Sequence, residues 1–145
     1  MKKIINGKVY DTETAKRVGV WENMYDSRDF HYCSEELFRK KNGEYFLFGE
    51  GGPMTQYATA HGTNSWGWGE RIMPMTYQEA TAWAEEHLDG DEYEEIFGEV
   101  QEDDSKVMTT MRLTATTVEL LRRRADAEGR GIADLADELL AAALR

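Results

Sequence analysis

The feature that most constrains this chain is an apolar stripe near its C-terminus. Its residues are spaced so that they lie along one side of a helix. They are Ile132, Leu135, Ala136, Leu139, Leu140 and Ala143. A module of about 40 residues has too little core volume to bury such a stripe by itself. We therefore expect a second copy of the chain to cover it, so that residues 106–144 form a homodimer.

The residues before the stripe predict a strand and a first helix. Residues 106–113 alternate between two sets of side chains, which is the period of a β-strand. Thr114 is a suitable N-cap for a helix, and Gly129 can end that helix because glycine adopts left-handed dihedral angles at little cost. The second helix, which carries the stripe, follows at once.

This order of strand, capping residue, helix, glycine and amphipathic helix resembles the ribbon-helix-helix family of DNA-binding repressors. The matching positions are Leu113, Thr114, Ala125, Gly129 and Leu135. The resemblance implies that two copies pair their strands into an antiparallel ribbon, which enters the major groove of operator double-stranded DNA. The residues that it assigns to DNA are the side chains of Lys106, Met108, Thr110 and Arg112, for bases, and the backbone N–H groups of Ile132 and Ala133, for a phosphate.

Two positions differ from the family pattern at the phosphate contact. Gly131 stands where the family has a hydroxyl cap, and Asp134 brings a carboxylate close to the expected phosphate. The alternative interpretation is that this segment only dimerises the protein and that its basic side chains are solvated. The basic run 122–124 could contact phosphates, although Glu119 and Glu128 are spaced to form ion pairs with it.

Residues 1–98 have a different pattern and predict an α+β domain with an antiparallel sheet. Turn signals at Asn6 and Gly7 and at residues 41–43 each separate two strand-like segments. An aromatic strand is expected over residues 44–48, ended by the glycines that follow it. The polar, acidic residues 99–105 are interpreted as a linker to the C-terminal domain, 106–145.

Capping and breaking signals predict four more elements in this domain. They are a short helix capped by Thr12 or Thr14 and running through Val18, a strand over residues 65–73 ended by Pro74, a helix opened by a capping box of Thr76 and Glu79, and a short helix over residues 91–97. Trp66 and Trp68 share one face of the predicted strand and are expected in the core. An exposed pair that binds a protein is the alternative.

The sequence lacks the residue groups that catalysis, metal binding or membrane insertion require. The lone Cys33 excludes an internal disulfide. His31 and Cys33 show no acidic partner and are interpreted as packed side chains, and His61 lies in a glycine-containing loop without further ligands. No apolar run approaches the roughly 18 residues of a membrane helix, and no secretory signal is present. We expect no enzyme activity, no metal, no cofactor, no membrane contact and a cytoplasmic location.

The chain of 145 residues has a net charge of −11, and the acidic side chains are concentrated before residue 105. Residues 85–104 contain 11 carboxylates and no lysine or arginine. Such a run is either a solvated helix face or a surface that attracts a protein with a basic nucleic-acid channel. The residues assigned to this partner-binding role are Asp89, Asp91, Glu92, Glu94 and Glu95.

Three stretches within residues 4–98 resemble a family of small proteins of phages and bacterial mobile elements, some of which inhibit CRISPR systems. The stretches are IINGKVYDTETAKRVG, SEELFRKKNGEYFLFGEGGPMTQYA and WGWGERIMPMTYQEATAWAEEHLDGDEYEEIFG. The resemblance implies an anti-CRISPR domain. Together with the acidic run, it predicts that this domain binds a CRISPR effector by mimicking DNA or blocking its channel. It carries over no catalytic residues.

An anti-CRISPR domain joined to a DNA-binding dimer predicts an inhibitor that represses its own transcription as its concentration rises. The alternative is a ribbon-helix-helix antitoxin that represses a toxin–antitoxin operon. Antitoxins usually place the DNA-binding module first and follow it with a short flexible segment. Here an aromatic-rich segment of about 98 residues precedes the module.

Overall fold

The computed structural model describes residues 1–102 and 105–145. The chain divides into two compact units, Met1–Glu102 and Asp103–Arg145. Asp103 and Asp104, which belong to the expected linker 99–105, lie outside the described residues. The first unit contains antiparallel sheets and two helices, and the second contains two helices. The predicted α+β class is therefore confirmed.

The first unit is built on a four-stranded antiparallel sheet of order β3-β4-β5-β8, accompanied by the two-stranded sheets β1-β2 and β6-β7. The strands are β1 (Lys2–Ile5), β2 (Lys8–Asp11), β3 (Lys16–Glu22), β4 (Cys33–Arg39), β5 (Tyr45–Gly51), β6 (Thr59–His61), β7 (Ser65–Gly67) and β8 (Gly69–Met75). The helices of this unit are α1 (Tyr77–His87) and α2 (Gly90–Phe97).

The four-stranded sheet is covered on both faces. Leu37 and Leu47 face one core cluster, which includes Trp83 of α1 and Ile96 of α2. Their strand neighbours Phe38 and Phe46 face the opposite cluster, which includes Tyr10 of β2. Successive side chains of a strand point to opposite faces, so a strand covered on both sides is apolar without alternation. This explains the continuous aromatic run at the start of β5.

The predicted turn at Asn6 and Gly7 and the predicted capping box of Thr76 and Glu79 are confirmed. Asn6 and Gly7 both have positive φ angles, as the tight turn between β1 and β2 requires. The Thr76 hydroxyl accepts a hydrogen bond from the backbone N–H of Glu79, whose carboxylate accepts one from the backbone N–H of Thr76. This capping box opens α1.

The expectations for residues 12–18 and 65–74 of the first unit are wrong. No helix runs through Val18, because the turn closed by the Ala15 N–H and the Asp11 carbonyl leads directly into β3. The strand expected over residues 65–73 is divided into β7 and β8. β8 also continues past Pro74 to Met75, which an edge strand tolerates because its outer N–H groups need no partner.

β5 also extends beyond the predicted end at residue 48, to Gly51. The ring of Tyr57 lies directly against Gly49, and a Cβ atom at this position would overlap the ring. Gly49 is therefore a packing residue inside the strand, where its missing side chain makes room for a tyrosine.

The second unit contains α3 (Ala115–Glu128) and α4 (Ile132–Leu144). Thr114 caps α3 as predicted, and Gly129 ends it in the left-handed conformation. Residues 106–113, predicted as a strand, have no assigned secondary structure. A strand needs a hydrogen-bonding neighbour, and the described part of this unit contains none.

Candidate functional site

Helix α2 presents exposed carboxylates, which we call the acidic surface. Its members are Asp89, Asp91, Glu92, Glu94 and Glu95, and all of them are exposed. The opposite side of α2 is apolar: Ile96 is buried, and Tyr93 and Phe97 pack against the same core. Packing of the apolar side against the core thus directs the charged side to solvent.

Asp89, Asp91 and Glu92 also stabilise α2. The Asp89 carboxylate caps the helix by accepting a hydrogen bond from the backbone N–H of Glu92 at 2.8 Å. Asp91 and Glu92 lie in the first turn, where the helix dipole favours negative charge. Glu94 and Glu95 lie towards the C-terminal end, where the dipole opposes negative charge. Helix stability therefore does not account for these two carboxylates.

The acidic surface forms no ion pair with a lysine or arginine, unlike two other carboxylates of the first unit. Glu36 forms an ion pair with Arg17, and Glu44 forms ion pairs with Lys8 and Lys40. These contacts lower the pKa of Glu44, first of all through its hydrogen bond with Lys8. In the described residues, no lysine or arginine pairs with the acidic surface. Its charge is left for solvent or for a partner.

The segment assigned to bases is exposed along its whole length. Lys106, Met108, Thr110 and Arg112 are all accessible, and Met108 is 96% exposed. The Lys106 ammonium forms an ion pair with Asp134 at 3.2 Å, which brings the start of this segment to the first turn of α4. Arg112 has no carboxylate partner among residues 1–102 and 105–145. Its guanidinium can therefore form new hydrogen bonds without breaking an existing ion pair.

The start of α4 has unused backbone donors. Gly131 is the N-cap, and no side chain accepts a hydrogen bond from the N–H groups there. Ile132 and Ala133 are exposed, so an anion can reach their N–H groups. The Asp134 carboxylate lies beside Gly131, as expected from the sequence, and its pairing with Lys106 partly offsets its negative charge.

The apolar face of the second unit remains largely open in the single chain. Within this unit's described residues, only Ala125 and Leu135 belong to the buried core. Large apolar side chains stay exposed on the extended segment and on both helices. They are Val107, Met108, Met111, Leu113, Leu120, Ile132, Leu140 and Leu144. We call Ile132, Leu140 and Leu144 the open face of α4.

The basic run on α3 is partly neutralised, as predicted. Arg123 pairs with Glu119 at 3.2 Å, and Arg124 pairs with Glu128 at 3.3 Å. Both pairs have i,i+4 spacing along the exposed helix. Arg122 has no such partner within the described chain.

The expected burial of Trp66 and Trp68 and the expected loop position of His61 are both wrong. Trp66 is 61% exposed and Trp68 45% exposed, so neither belongs to the core. Trp66 lies in β7, which pairs only with the short strand β6, and Trp68 lies between β7 and β8. His61 ends β6 instead of lying in a loop, and its ring lies close to Gly67. A two-stranded hairpin leaves its side chains exposed unless another layer covers it.

His31 and Cys33 do have acidic neighbours, contrary to the sequence interpretation. The His31 ring lies 3.0 Å from Asp29, and hydrogen bonds from the His31 backbone and ring lower the pKa of that carboxyl. Cys33 is half-buried, and burial together with the charge of Glu35 raises the pKa of its thiol. A raised pKa keeps the thiol protonated and therefore a poor nucleophile.

Sequence reasoning overlooked Glu35, which is a buried carboxylate at the centre of a polar cluster. Its Oε1 accepts hydrogen bonds from the Tyr57 hydroxyl at 2.9 Å and the Gln56 amide at 3.2 Å, and its Oε2 accepts one from the Trp83 indole at 2.6 Å. All three donors are neutral. Burial, and then the hydrogen bond to Glu35, raise the pKa of Tyr57.

Comparison with protein-family models, curated proteins and solved structures gave no match. Within residues 1–102 and 105–145, no helix has both the length and the apolar character needed to cross a membrane. Among the same residues, no group of three or more histidine, cysteine, aspartate or glutamate side chains could hold a metal ion.

Proposed function

We propose that this chain is a bifunctional anti-CRISPR protein. In this proposal the acidic surface of the first unit binds a CRISPR effector, and the second unit dimerises, binds operator DNA and represses transcription of its own gene. The proposal depends on the occurrence of two features in one chain. The first unit has an acidic surface that forms no ion pairs, and the second unit has an apolar face that is open in the single chain.

The open face of α4 supports dimerisation through a ribbon-helix-helix arrangement. Ile132, Leu140 and Leu144 are each at least two-fifths exposed, and residues 106–113 lack a strand partner. A second copy supplies both missing elements, because its helices cover the apolar face and its residues 106–113 provide the neighbouring strand. The sequence alternation then places Lys106, Met108, Thr110 and Arg112 on the outward side of the ribbon.

The acidic surface supports binding to a protein that normally holds nucleic acid. A CRISPR effector holds its nucleic acid in a positively charged channel. Carboxylates that form no ion pair keep more of their field and attract such a channel over a long range. Glu94 and Glu95 contribute negative charge at an end of α2 where the helix dipole opposes it. Contact with a basic partner offsets this unfavourable interaction between the two carboxylates and the helix dipole.

The folded first unit favours an inhibitor over an antitoxin. The part of an antitoxin that neutralises its toxin is usually short and flexible. In this chain the corresponding part has a four-stranded sheet with a core on each face. A rigid unit of this kind presents a preformed surface to its partner.

The repressor half is tested by substituting Arg112 with alanine and measuring binding to the DNA upstream of the gene by gel shift. A bidentate arginine contact with guanine contributes about 1–3 kcal/mol to discrimination. Each dimer contains two such contacts, so we expect specific binding to be lost. The matched control is Arg123→Ala, which removes the same charge from a residue paired on α3. Equal binding by both variants would contradict the assignment of Arg112.

The inhibitor half is tested by substituting Glu94 and Glu95 with lysine and measuring capture of purified effector complexes of different CRISPR types. Asp89 is left unchanged because it caps α2. The matched control substitutes exposed Glu13 and Glu70 with lysine, which changes the net charge equally. We expect only the first variant to lose capture, most clearly at low ionic strength. Equal loss in both variants would indicate a general charge effect.

A further inference from the structure

The first unit contains an open cleft of about 610 Å³ between the polar cluster of Glu35 and the end of α1. Its lining includes Trp21, Tyr25 and Trp83 together with the carboxylates Glu35 and Glu86. No lysine or arginine belongs to the lining that the structure describes. The cleft therefore combines aromatic surface with negative charge.

The aromatic side chains of the cleft are held in place by neighbouring rings. The ring of His87 contacts the rings of both Trp21 and Trp83, with centroid distances of 4.3 Å and 5.2 Å. Tyr25 stacks on His31 at 5.2 Å. The Trp83 indole is fixed further by its hydrogen bond to Glu35. These contacts preform the aromatic walls before any ligand binds, which lowers the entropic cost of binding.

Glu35 gives the cleft a carboxylate that forms no ion pair with a lysine or arginine within the described residues. It is only 6% exposed, and each of its three hydrogen-bond donors is neutral. A carboxylate offers about four lone-pair sites, so capacity for a further donor remains. Burial makes a favourable charge interaction at this carboxylate stronger than at an exposed one.

We propose that this cleft binds an organic cation, either a guanidinium or an alkylammonium group. Aromatic faces attract such cations, and a nearby carboxylate supplies the opposite charge. This ligand chemistry has two sources, the arginine or lysine side chain of a protein and a free polyamine. The site lies in the first unit and does not depend on binding of a CRISPR effector by the acidic surface.

The test is a titration of the full chain with tetramethylammonium, followed through the indole N–H signals in an NMR spectrum. The four tryptophans give separate signals, which single Trp→Phe variants assign. We expect the signals of Trp21 and Trp83 to move, while those of Trp66 and Trp68 on the exposed hairpin stay in place. The neutral isostere 2,2-dimethylpropanol should produce no comparable shift. Equal shifts with the isostere, or shifts confined to Trp66 and Trp68, overturn the proposal.

Two variants separate a specific cleft from general attraction to an acidic protein. Glu35→Gln should weaken tetramethylammonium binding at least tenfold, whereas Glu70→Gln removes the same charge from an exposed site and should leave binding unchanged. Equal weakening by both variants overturns the proposal. Because Glu35→Gln also disturbs a buried cluster, Trp21→Leu removes one aromatic wall at a half-buried position and should weaken binding without unfolding the unit. Unchanged binding in that variant also counts against the site.

Two further ligands identify the natural source of the cation. N-acetylarginine amide represents a protein side chain, and spermidine represents a free polyamine. Tighter binding of the arginine derivative assigns the cleft to a protein side chain, and tighter binding of spermidine assigns it to a polyamine. Failure of both ligands and of tetramethylammonium to move the cleft signals overturns the proposal.

Discussion

Leu140→Ala is the most direct test of whether the second unit dimerises through the open face of α4. Leu140 is 47% exposed in the single chain, so a second copy can bury roughly half of its side chain. Full burial of a leucine contributes about 2 kcal/mol, and the exposed half therefore accounts for about 1 kcal/mol. A two-fold dimer contains the residue twice. The substitution should thus cost about 2 kcal/mol, or about 30-fold in the dimer dissociation constant.

The assay is sedimentation equilibrium of the full chain over a range of concentrations, with a gel shift on operator DNA as a second readout. The matched control is Leu120→Ala on α3, because Leu120 is similarly exposed but lies outside the predicted apolar stripe. We expect the dimer of Leu140→Ala to dissociate at higher concentration than the dimer of the control. The reasoning is refuted if the two variants dissociate alike, or if the unsubstituted chain is monomeric at micromolar concentration.

Three further predictions concern the cap of α1, the polar cluster and the start of α4. Thr76→Ala removes the capping box and should lower the free energy of unfolding, measured in urea, by about 1 kcal/mol. An unchanged free energy of unfolding would contradict a stabilising role of this cap. The raised pKa of Tyr57 means that the folded unit retains a proton that the unfolded chain releases near pH 10, so stability should fall as the pH rises above that value. Tyr57→Phe should flatten this loss by up to about 1.4 kcal/mol per pH unit, measured by urea unfolding at several alkaline pH values. Asp134→Asn releases Lys106 and removes a carboxylate from the start of α4. Operator binding should therefore become tighter, and its salt dependence should become steeper by about one phosphate contact. Gel shifts at several salt concentrations measure both changes.

Features set by neighbouring residues were predictable from the sequence. The tight turn at Asn6 and Gly7, the capping box at Thr76 and the left-handed Gly129 all occur where the sequence predicts them. Each depends on dihedral preferences or on hydrogen bonds within about four residues, which the local sequence contains. The exposed carboxylates of α2 follow in the same way from an apolar side that packs inward.

Features set by distant residues were not predictable. Glu35 receives hydrogen bonds from residues 21, 22 and 48 positions away, and nothing near it in the sequence indicates this cluster. β5 passes through Gly49 because a ring from Tyr57 fills the space above it. Trp66 and Trp68 satisfy the pattern of a core strand, yet no further layer covers their hairpin.

The sequence by itself determined the turn at Asn6 and Gly7, the caps of α1 and α3, the α+β class and the unequal distribution of charge. Only the tertiary structure decided which aromatic side chains are buried, where the cleft lies and which carboxylates form no ion pair. The physical reason is that dihedral preferences act between adjacent residues, whereas burial and ion pairing depend on segments that the fold brings together. Residues 106–113 have no assigned secondary structure, and a strand there would need a hydrogen-bonding neighbour that the described part of the unit does not supply.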